Sequence, residues 1–177
     1  MRELCTVALG GVEEDSLREI EACVTEHLGC TVRRLPPMGL PSGSFDEQRG
    51  QWSSVLLLRH LLAVAPPGCL RILGVTECDL FIPMLSFVYG QAQLSGRAAV
   101  VSTARLSQQF YGLPANDVLL HARARKEVVH ETGHLYGLVH CADTQCAMSL
   151  STNVRQIDLK HDSLCAACRA QVWEGHI

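Results

Sequence analysis

The fold and the chemistry of this chain are decided by the stretch His130-Glu131-Thr132-Gly133-His134-Leu135-Tyr136-Gly137-Leu138-Val139-His140. Residues four apart lie on one face of a helix, so His130 and His134 can direct their imidazoles at the same ion. Gly137 can adopt a positive φ at little steric cost, which ends the helix and turns the chain. The turn can bring His140 back as a third nitrogen ligand. The spacing therefore predicts a catalytic zinc site with an open coordination position.

Glu131 follows the first of these histidines and projects beside the open position. A catalytic zinc lowers the pKa of its bound water to about 7, which makes hydroxide available at neutral pH. Glu131 can act as the general base in the attack of zinc-bound water and then pass the proton to the leaving amine. The pattern predicts a zinc metallopeptidase, a hydrolase acting on peptide bonds. The alternative is a zinc-binding domain that recognises peptides or proteins without efficient cleavage.

A second predicted site lies in four cysteines that follow the histidines. Four residues separate the first pair, two separate the last pair and 18 lie between the pairs, a spacing that suits two chelating loops around one tetrahedral zinc. The four are Cys141, Cys146, Cys165 and Cys168. Two disulfides, or a redox-active pair made of the last two cysteines, are the alternatives. We favour a structural zinc, because the redox pair needs no second pair upstream, and so expect two zinc ions per chain.

The remaining cysteines show no chelating rhythm and are expected to be small buried thiols. The N-terminal apolar run is short and leads into Glu13, so it does not predict a secretory signal. No window reaches the roughly 18 apolar residues of a membrane span. We therefore expect a cytoplasmic protein without a membrane partner, in a compartment where structural disulfides are rare. The five remaining cysteines are Cys5, Cys23, Cys30, Cys69 and Cys78.

Composition indicates one domain. A chain of 177 residues, 47% of them hydrophobic, can bury a core of its own. We expect a single domain over 1–177, with an N-terminal lobe at about 1–137 and a C-terminal lobe at about 138–177. The formal charge is −3 and no basic cluster stands out, so nucleic acid is not an expected partner. The expected partner is a peptide or protein substrate, and the expected state is a monomer.

Outward from the histidines, the pattern predicts an α/β fold. Asn116 or Asp117 can cap a long helix that runs to about Tyr136. An opening strand, helix and strand favour parallel pairing with a right-handed crossover. The hairpin with strands at 87–92 and 98–102 ends the predicted sheet. Other strands are predicted at 3–10, 30–35 and 70–75, and other helices at 17–28, from 53 to about 65, and at 164–174.

The stretch from His130 to Cys168 closely resembles the archaemetzincin (archaelysin) family of metzincin-clan zinc metallopeptidases. Their long motif joins HExxHxxGxxH to CxxxxC, a nearby Met and a final CxxC, and all these residues fall in order here. Segments upstream that also resemble the family are Arg49–Trp52, Leu73–Thr76, Asp79–Phe81, Phe87–Gly90 and Ser102–Leu106.

The resemblance implies a metzincin-like fold and a role for a further residue. Met148 would supply the methionine of the tight turn beneath the zinc, the Met-turn. The sheet would be twisted and mostly parallel, with one antiparallel edge strand near 86–93 bordering the cleft, where an extended peptide can add by backbone hydrogen bonds. The active-site helix would be followed by a small helical C-terminal lobe stapled by zinc. Unlike some metzincins, this chain has no Tyr shortly after that Met.

Overall fold

The structure of the protein, a computed structural model, describes residues 2–174. Met1 and residues 175–177 of the expected single domain lie outside the described residues. The strands are β1 (Arg2–Ala8), β2 (Cys30–Arg34), β3 (Phe45–Asp46), β4 (Gln51–Ser53), β5 (Ile72–Thr76), β6 (Leu80–Phe81), β7 (Gly90–Ala92) and β8 (Ala98–Ser102). The helices are α1 (Glu14–Leu28), α2 (Ser54–Val64), α3 (Asp117–Leu135), α4 (Val154–Leu159) and α5 (Ala166–Glu174).

A five-stranded sheet in the order β2-β1-β5-β8-β7 forms the centre of the fold. Strands β2, β1, β5 and β8 run parallel to one another, and β7 alone runs antiparallel in this sheet, with Gly90 opposite Val101 of β8. The prediction of a mostly parallel sheet with one antiparallel edge strand is confirmed. The strand itself is shorter than the predicted 86–93, because residues 85–88 form a rim that does not pair with β8.

Helices cover both faces of this sheet, so the inner strands β5 and β8 are buried at every position, whereas the edge strands β2 and β7 are partly exposed. In β8, Ala99 and Val101 point to the side of α1 and α3, while Ala98 and Val100 point to the side of α2. Isoleucine, leucine and valine side chains at helical spacing on α1 pack on the first side, as predicted from the sequence. No helix within residues 2–174 is long and apolar enough to span a bilayer.

The C-terminal lobe packs onto the same core as the sheet. Ile157, Leu164 and Val172 are buried in one hydrophobic cluster with α1, α3 and the inner strands. The backbone of this lobe is folded back on itself, since Ala147 N–H donates to the carbonyl of Ser163 at 3.0 Å and His161 N–H to that of Gln145 at 2.8 Å. The segment before α5 therefore runs beside the segment that contains Met148.

Three features differ from the sequence-based expectation. A second sheet of three strands, β3-β4-β6, lies where no strand was predicted, and α4 was not predicted either. Strands of two or three residues are too short to leave a periodic pattern. The expectation that Cys5 and Cys69 are free thiols was wrong, because the structure pairs them as a disulfide. The pairing of β1 with β5, where Cys5 lies opposite Ile72, brings these distant cysteines together.

Candidate active site

Helix α3 carries the predicted site and begins and ends at the expected signals. The side chain of Asn116 accepts a hydrogen bond from the backbone N–H of Leu119 at 3.0 Å and caps the helix. Gly137 adopts a φ of 87° immediately after the helix, and its N–H donates to the carbonyl of His134 at 3.0 Å. This turn carries His140 back over the last turn of α3.

The three predicted histidines converge. The Nε2 atoms of His130 and His134 are 3.2 Å apart, and the ring of His140 lies with its centroid 5.2 Å and 5.1 Å from the other two. The Nδ1 atoms of the two helical histidines face the carbonyls of Ala147 at 3.0 Å and Leu138 at 2.7 Å. A carbonyl can only accept, so each Nδ1 carries the proton and each Nε2 keeps a lone pair.

The environment keeps these two imidazoles neutral. Burial, followed by the nearby ammonium of Lys160, lowers the pKa of His130 to about 3. Burial also lowers the pKa of His134. Neutral imidazoles with free Nε2 lone pairs are the form that binds zinc, so the donor set fits that ion.

Glu131 lies against the edge strand. Its side chain lines the cleft between α3 and β7, and the residue is only 6% exposed. A Cβ placed on Gly90 would lie 2.6 Å from Glu131 Cγ, so the missing side chain of Gly90 makes room for the carboxylate. Burial first, and the charge of Glu127 second, raise the pKa of Glu131, while Lys160 opposes the shift.

A cleft of about 400 Å³ runs along this site. One wall is the segment 85–92, which comprises the rim and β7, and the opposite wall is 150–152 after Met148. The histidines, Glu127 and Glu131 form its floor. Leu85 and Leu150 are exposed large apolar side chains at the two walls. The arrangement can hold an extended chain against three imidazoles and a carboxylate.

Met148 lies buried directly against the active-site helix. A Cβ on Gly133 would approach its Sδ to 2.4 Å, so α3 and the segment around Met148 are in the closest contact that a glycine allows. The preceding residue, Ala147, accepts the hydrogen bond from His130 Nδ1. Met148 therefore lies beneath the helix that carries His130 and His134.

The four predicted cysteines also converge. The sulfur atoms of Cys141, Cys146, Cys165 and Cys168 all lie within 4.8 Å of one another, and none of the four is in a disulfide. The backbone N–H of Cys165 donates to Cys146 Sγ at 3.3 Å, and the backbone N–H of Cys168 holds the pKa of Cys165 below its usual value. Burial, in contrast, raises the pKa of the Cys146 and Cys168 thiols. The convergence of four sulfurs in one cluster is the feature that fits a tetrahedral zinc.

A third group of possible ligands was not visible in the sequence, because its members are far apart along the chain. Cys23, His27 and Asp162 bring ligand atoms within 4.8 Å of one another. The guanidinium of Arg125 fills this group, with Nε donating to Asp162 Oδ2 at 2.8 Å and Nη2 lying 3.5 Å from His27 Nε2. A cation held at this position makes the group an ion-pair network rather than a metal site.

A buried ion pair beside the site was also not predicted from the sequence. Lys160 Nζ lies 2.8 Å from Glu127 Oε1, and their side chains are 1% and 5% exposed. Glu127 is one helical turn before Glu131 and lines the cleft. A single lysine in the sequence gives no signal that it is buried, since lysines are mostly exposed.

Comparison with known proteins agrees with this geometry. The model of peptidase family M54 matches residues 68–174. A protein named archaemetzincin from Methanocaldococcus jannaschii is 39% identical over 98% of this chain and 94% of its own length. Another from Haloquadratum walsbyi is 34% identical over 94% of this chain and 97% of its own length.

Solved structures of similar proteins have the same fold as this chain. The crystal structure of archaemetzincin from Methanopyrus kandleri matches with a TM-score of 0.87 at 35% identity, over 98% of this chain and 94% of that one. That from Archaeoglobus fulgidus matches with a TM-score of 0.81 at 30% identity, over 95% of this chain and 99% of that one. The chain therefore belongs to peptidase family M54, the archaemetzincins, and is a zinc metallopeptidase acting on peptide or protein substrates.

Proposed function

We propose that this peptidase uses Glu131 as the general base, with a catalytic zinc held by His130, His134 and His140. The observation that carries the proposal is the convergence of these imidazoles, two of them with Nδ1 on a carbonyl, beside a carboxylate on the floor of a cleft. Zinc, when bound, supplies a Lewis acid that polarises the scissile carbonyl and makes water acidic.

Residues of the chain itself bind the substrate and transfer the proton. The free edge of β7 offers backbone groups to an extended substrate, which adds as a further strand. Glu131 takes a proton from the attacking water while the water oxygen bonds to the carbonyl carbon. The C–N bond then breaks, and Glu131 returns the proton to the leaving nitrogen. Gly90 keeps Glu131 within reach of the substrate strand because it leaves space for the carboxylate.

The cysteine cluster is proposed to hold a second, structural zinc. Four thiolates fill a tetrahedral ion, so this site has no position for substrate. His161 is exposed and lies outside the sulfur cluster. We infer two zinc ions per chain, with Met148 as the methionine of the Met-turn.

The wider setting is also a proposal. We infer a single-domain, monomeric, cytoplasmic enzyme with no nucleic-acid or membrane partner, in which the Cys5–Cys69 disulfide is an exception to the rarity of structural disulfides in that compartment. Light scattering at working concentration tests the monomer, and cell fractionation tests the location. Retention of DNA at moderate salt would argue against the absence of a nucleic-acid partner.

Metal analysis combined with cleavage of a broad peptide library tests the catalytic proposal. Wild type is expected to carry two zinc ions and to cleave, whereas Glu131→Gln keeps both ions and loses at least about a hundredfold in kcat. Glu19→Gln, at a half-exposed carboxylate on α1 that lies 3.7 Å from Arg125 and does not line the cleft, is the control and should cleave like wild type. Equal activity of wild type and Glu131→Gln would instead favour the zinc-binding domain that recognises peptides without cleaving them.

A further inference from the structure

Lys160 is one of the largest fully buried side chains among the described residues, and its ammonium bridges two parts of the fold. The ammonium lies 2.8 Å from Glu127 Oε1 on α3 and donates to the carbonyl of Ser149 at 3.3 Å. Removing two charges from water carries a large desolvation cost, which is recovered only with good geometry. The position of this pair beside the catalytic floor therefore calls for a reason beyond core packing.

Both partners of Lys160 belong to the catalytic surroundings. Glu127 lies three residues before His130 and four before Glu131, so all three share one face of α3. Ser149 lies two residues after Ala147, whose carbonyl accepts the hydrogen bond from His130 Nδ1. The short segment 147–149 is thus attached to the helix at both ends, through His130 at one end and through Lys160 at the other.

The backbone under Lys160 is fixed as well. His161 N–H donates to Gln145 at 2.8 Å, and Ala147 N–H donates to Ser163 at 3.0 Å, so Lys160 enters from a segment paired with the Met-turn. This same segment leads into Cys165 of the sulfur cluster. Lys160 is therefore the point where α3, the Met-turn and the cysteine lobe meet.

We propose that Lys160 is a positioning residue for the peptidase reaction: its bridge between Glu127 and the Ser149 carbonyl holds segment 147–149 in place, and thereby fixes the orientation of His130. The inference rests on the proposed role of His130 as a zinc ligand. Residues that orient a metal ligand typically contribute about 10–100-fold to metal affinity or activity. Lys160 acts through His130 and does not touch the substrate.

Two double variants separate the bridge from its charges. Glu127→Gln with Lys160→Met removes the charges and the bridge, whereas Glu127→Gln with Lys160→Gln removes the charges but keeps an amide that can donate to the Ser149 carbonyl. Neither leaves a single buried charge unpaired, as Lys160→Met alone would. Competition with a chelator measures the zinc affinity of the histidine site, which we expect to hold its ion more weakly than the cysteine site. Steady-state kinetics gives kcat and KM.

We call the double variants Gln/Met and Gln/Gln after the residues that replace Glu127 and Lys160. We expect the Gln/Met variant to bind the zinc of the histidine site about 10–100-fold more weakly, with lower kcat at saturating zinc and little change in KM. The cysteine zinc and the midpoint of thermal unfolding should change little. The Gln/Gln variant should stay within about threefold of wild type in zinc affinity, well inside the loss expected for the broken bridge. Wild-type zinc affinity in the Gln/Met variant would overturn the proposal.

A matched control is the ion pair one helical turn earlier. Arg123 Nε and Nη2 hold Asp158 at 2.8 Å each and Nη1 donates to the Leu106 carbonyl at 2.8 Å, so this pair also ties α3 to α4, through partners that lie outside segment 147–149. Arg123→Met with Asp158→Asn should lower the unfolding midpoint and leave zinc affinity unchanged. An equal loss of zinc affinity in this control would show that any weakening of the lobe has the same effect, and would overturn the positioning role.

Two further measurements keep the test decisive. If the Gln/Met variant does not fold, Glu127→Met with Lys160→Met removes the bridge and replaces both buried charges by apolar side chains, and an unchanged zinc affinity there would contradict the proposal. Zinc affinity is measured without substrate. If wild type cleaves no peptide, the proposed function fails, while the zinc comparison still decides the role of Lys160.

Discussion

Two glycines at the catalytic site are required by what lies opposite them rather than by their backbone angles. Neither Gly90 nor Gly133 has a positive φ. A Cβ on the first would meet Glu131 and the carbonyl of Val100, and a Cβ on the second would meet the sulfur of Met148. At the residue scale, the site is therefore shaped by missing side chains as much as by the ligands.

Gly133→Ala should destabilise the protein although it lies inside a helix. Alanine at an open helical position stabilises by about 0.5–1 kcal/mol over glycine. Here the new Cβ would lie 2.4 Å from Met148 Sδ, and overpacking of this kind costs about 1–3 kcal/mol. We expect a net loss of about 1–2 kcal/mol in urea unfolding. Gly39→Ala, with no atom within 4 Å of the new Cβ, is the control, and equal stability of the two variants would refute the close contact.

Gly90→Ala should affect activity more than stability. The added methyl would lie 2.6 Å from Glu131 Cγ and 2.7 Å from the Val100 carbonyl, so either the carboxylate or the edge strand must move. A displacement of this size at a catalytic group costs roughly 10–100-fold in kcat. Zinc content should stay at the wild-type value, and Gly11→Ala, which meets no atom within 4 Å, should cleave normally. A fully active Gly90→Ala enzyme would contradict the placement of Glu131.

Cys23 should make the protein less stable at high pH. Burial raises the pKa of its thiol to about 12 from 9.0, so the folded state keeps the proton that the unfolded state releases. Its contribution is complete below pH 9 and is lost as the pH rises toward 12, by up to about 1.4 kcal/mol per pH unit. Urea unfolding between pH 8.5 and 10.5 should show a shallower decline for Cys23→Ala than for wild type. If the free energies of unfolding of wild type and Cys23→Ala fall in parallel with pH, the Cys23 thiol ionises as readily in the folded state as in the unfolded state.

At the element scale, the long elements were predictable and the short ones were not. Helix α3 carries a cap at Asn116 and a glycine stop, and the inner strands are continuous apolar runs, so their patterns are readable. The small sheet and α4 depend on contacts between distant segments, as does the disulfide between Cys5 and Cys69. Short elements take their stability from such contacts, which local sequence does not encode.

The C-terminal turn should transmit changes from the cysteine cluster to the histidine cluster. His140 and Cys141 are consecutive, and their Cα atoms are therefore only about 3.8 Å apart. Cys165→Ala should lose the structural zinc and weaken the histidine zinc by about tenfold or more. Zinc analysis with chelator titration measures both sites, and Cys78→Ala, outside both clusters, is the control. Full zinc occupancy of the histidine site and full activity in Cys165→Ala would contradict this prediction.

At the scale of the whole molecule, the proposed metal ligands could be identified from the sequence, but the buried residues that hold them in position could not. The seven proposed ligands form two clusters, because α3 and the turn at Gly137 bring the histidines together, and backbone pairing of 145–147 with 161–163 brings the two cysteine pairs together. Lys160 and Glu127 could not be predicted, since burial of a charge depends on the packing of the entire C-terminal lobe onto α3. The same packing joins both lobes in one hydrophobic cluster.

Removal of zinc should therefore loosen the molecule unevenly. Helices α4 and α5 have 6 and 9 residues, too few to be stable on their own, whereas β5 and β8 are buried throughout. Zinc in the proposed cysteine site would contribute directly to folding free energy, so its removal should open the C-terminal lobe. After dialysis against a strong chelator, amide exchange should accelerate in residues 141–172 while the central strands stay protected, and added zinc should restore the slow exchange. Uniform acceleration across the chain would mean that the metal sites stabilise the sheet and the lobe as one cooperative unit.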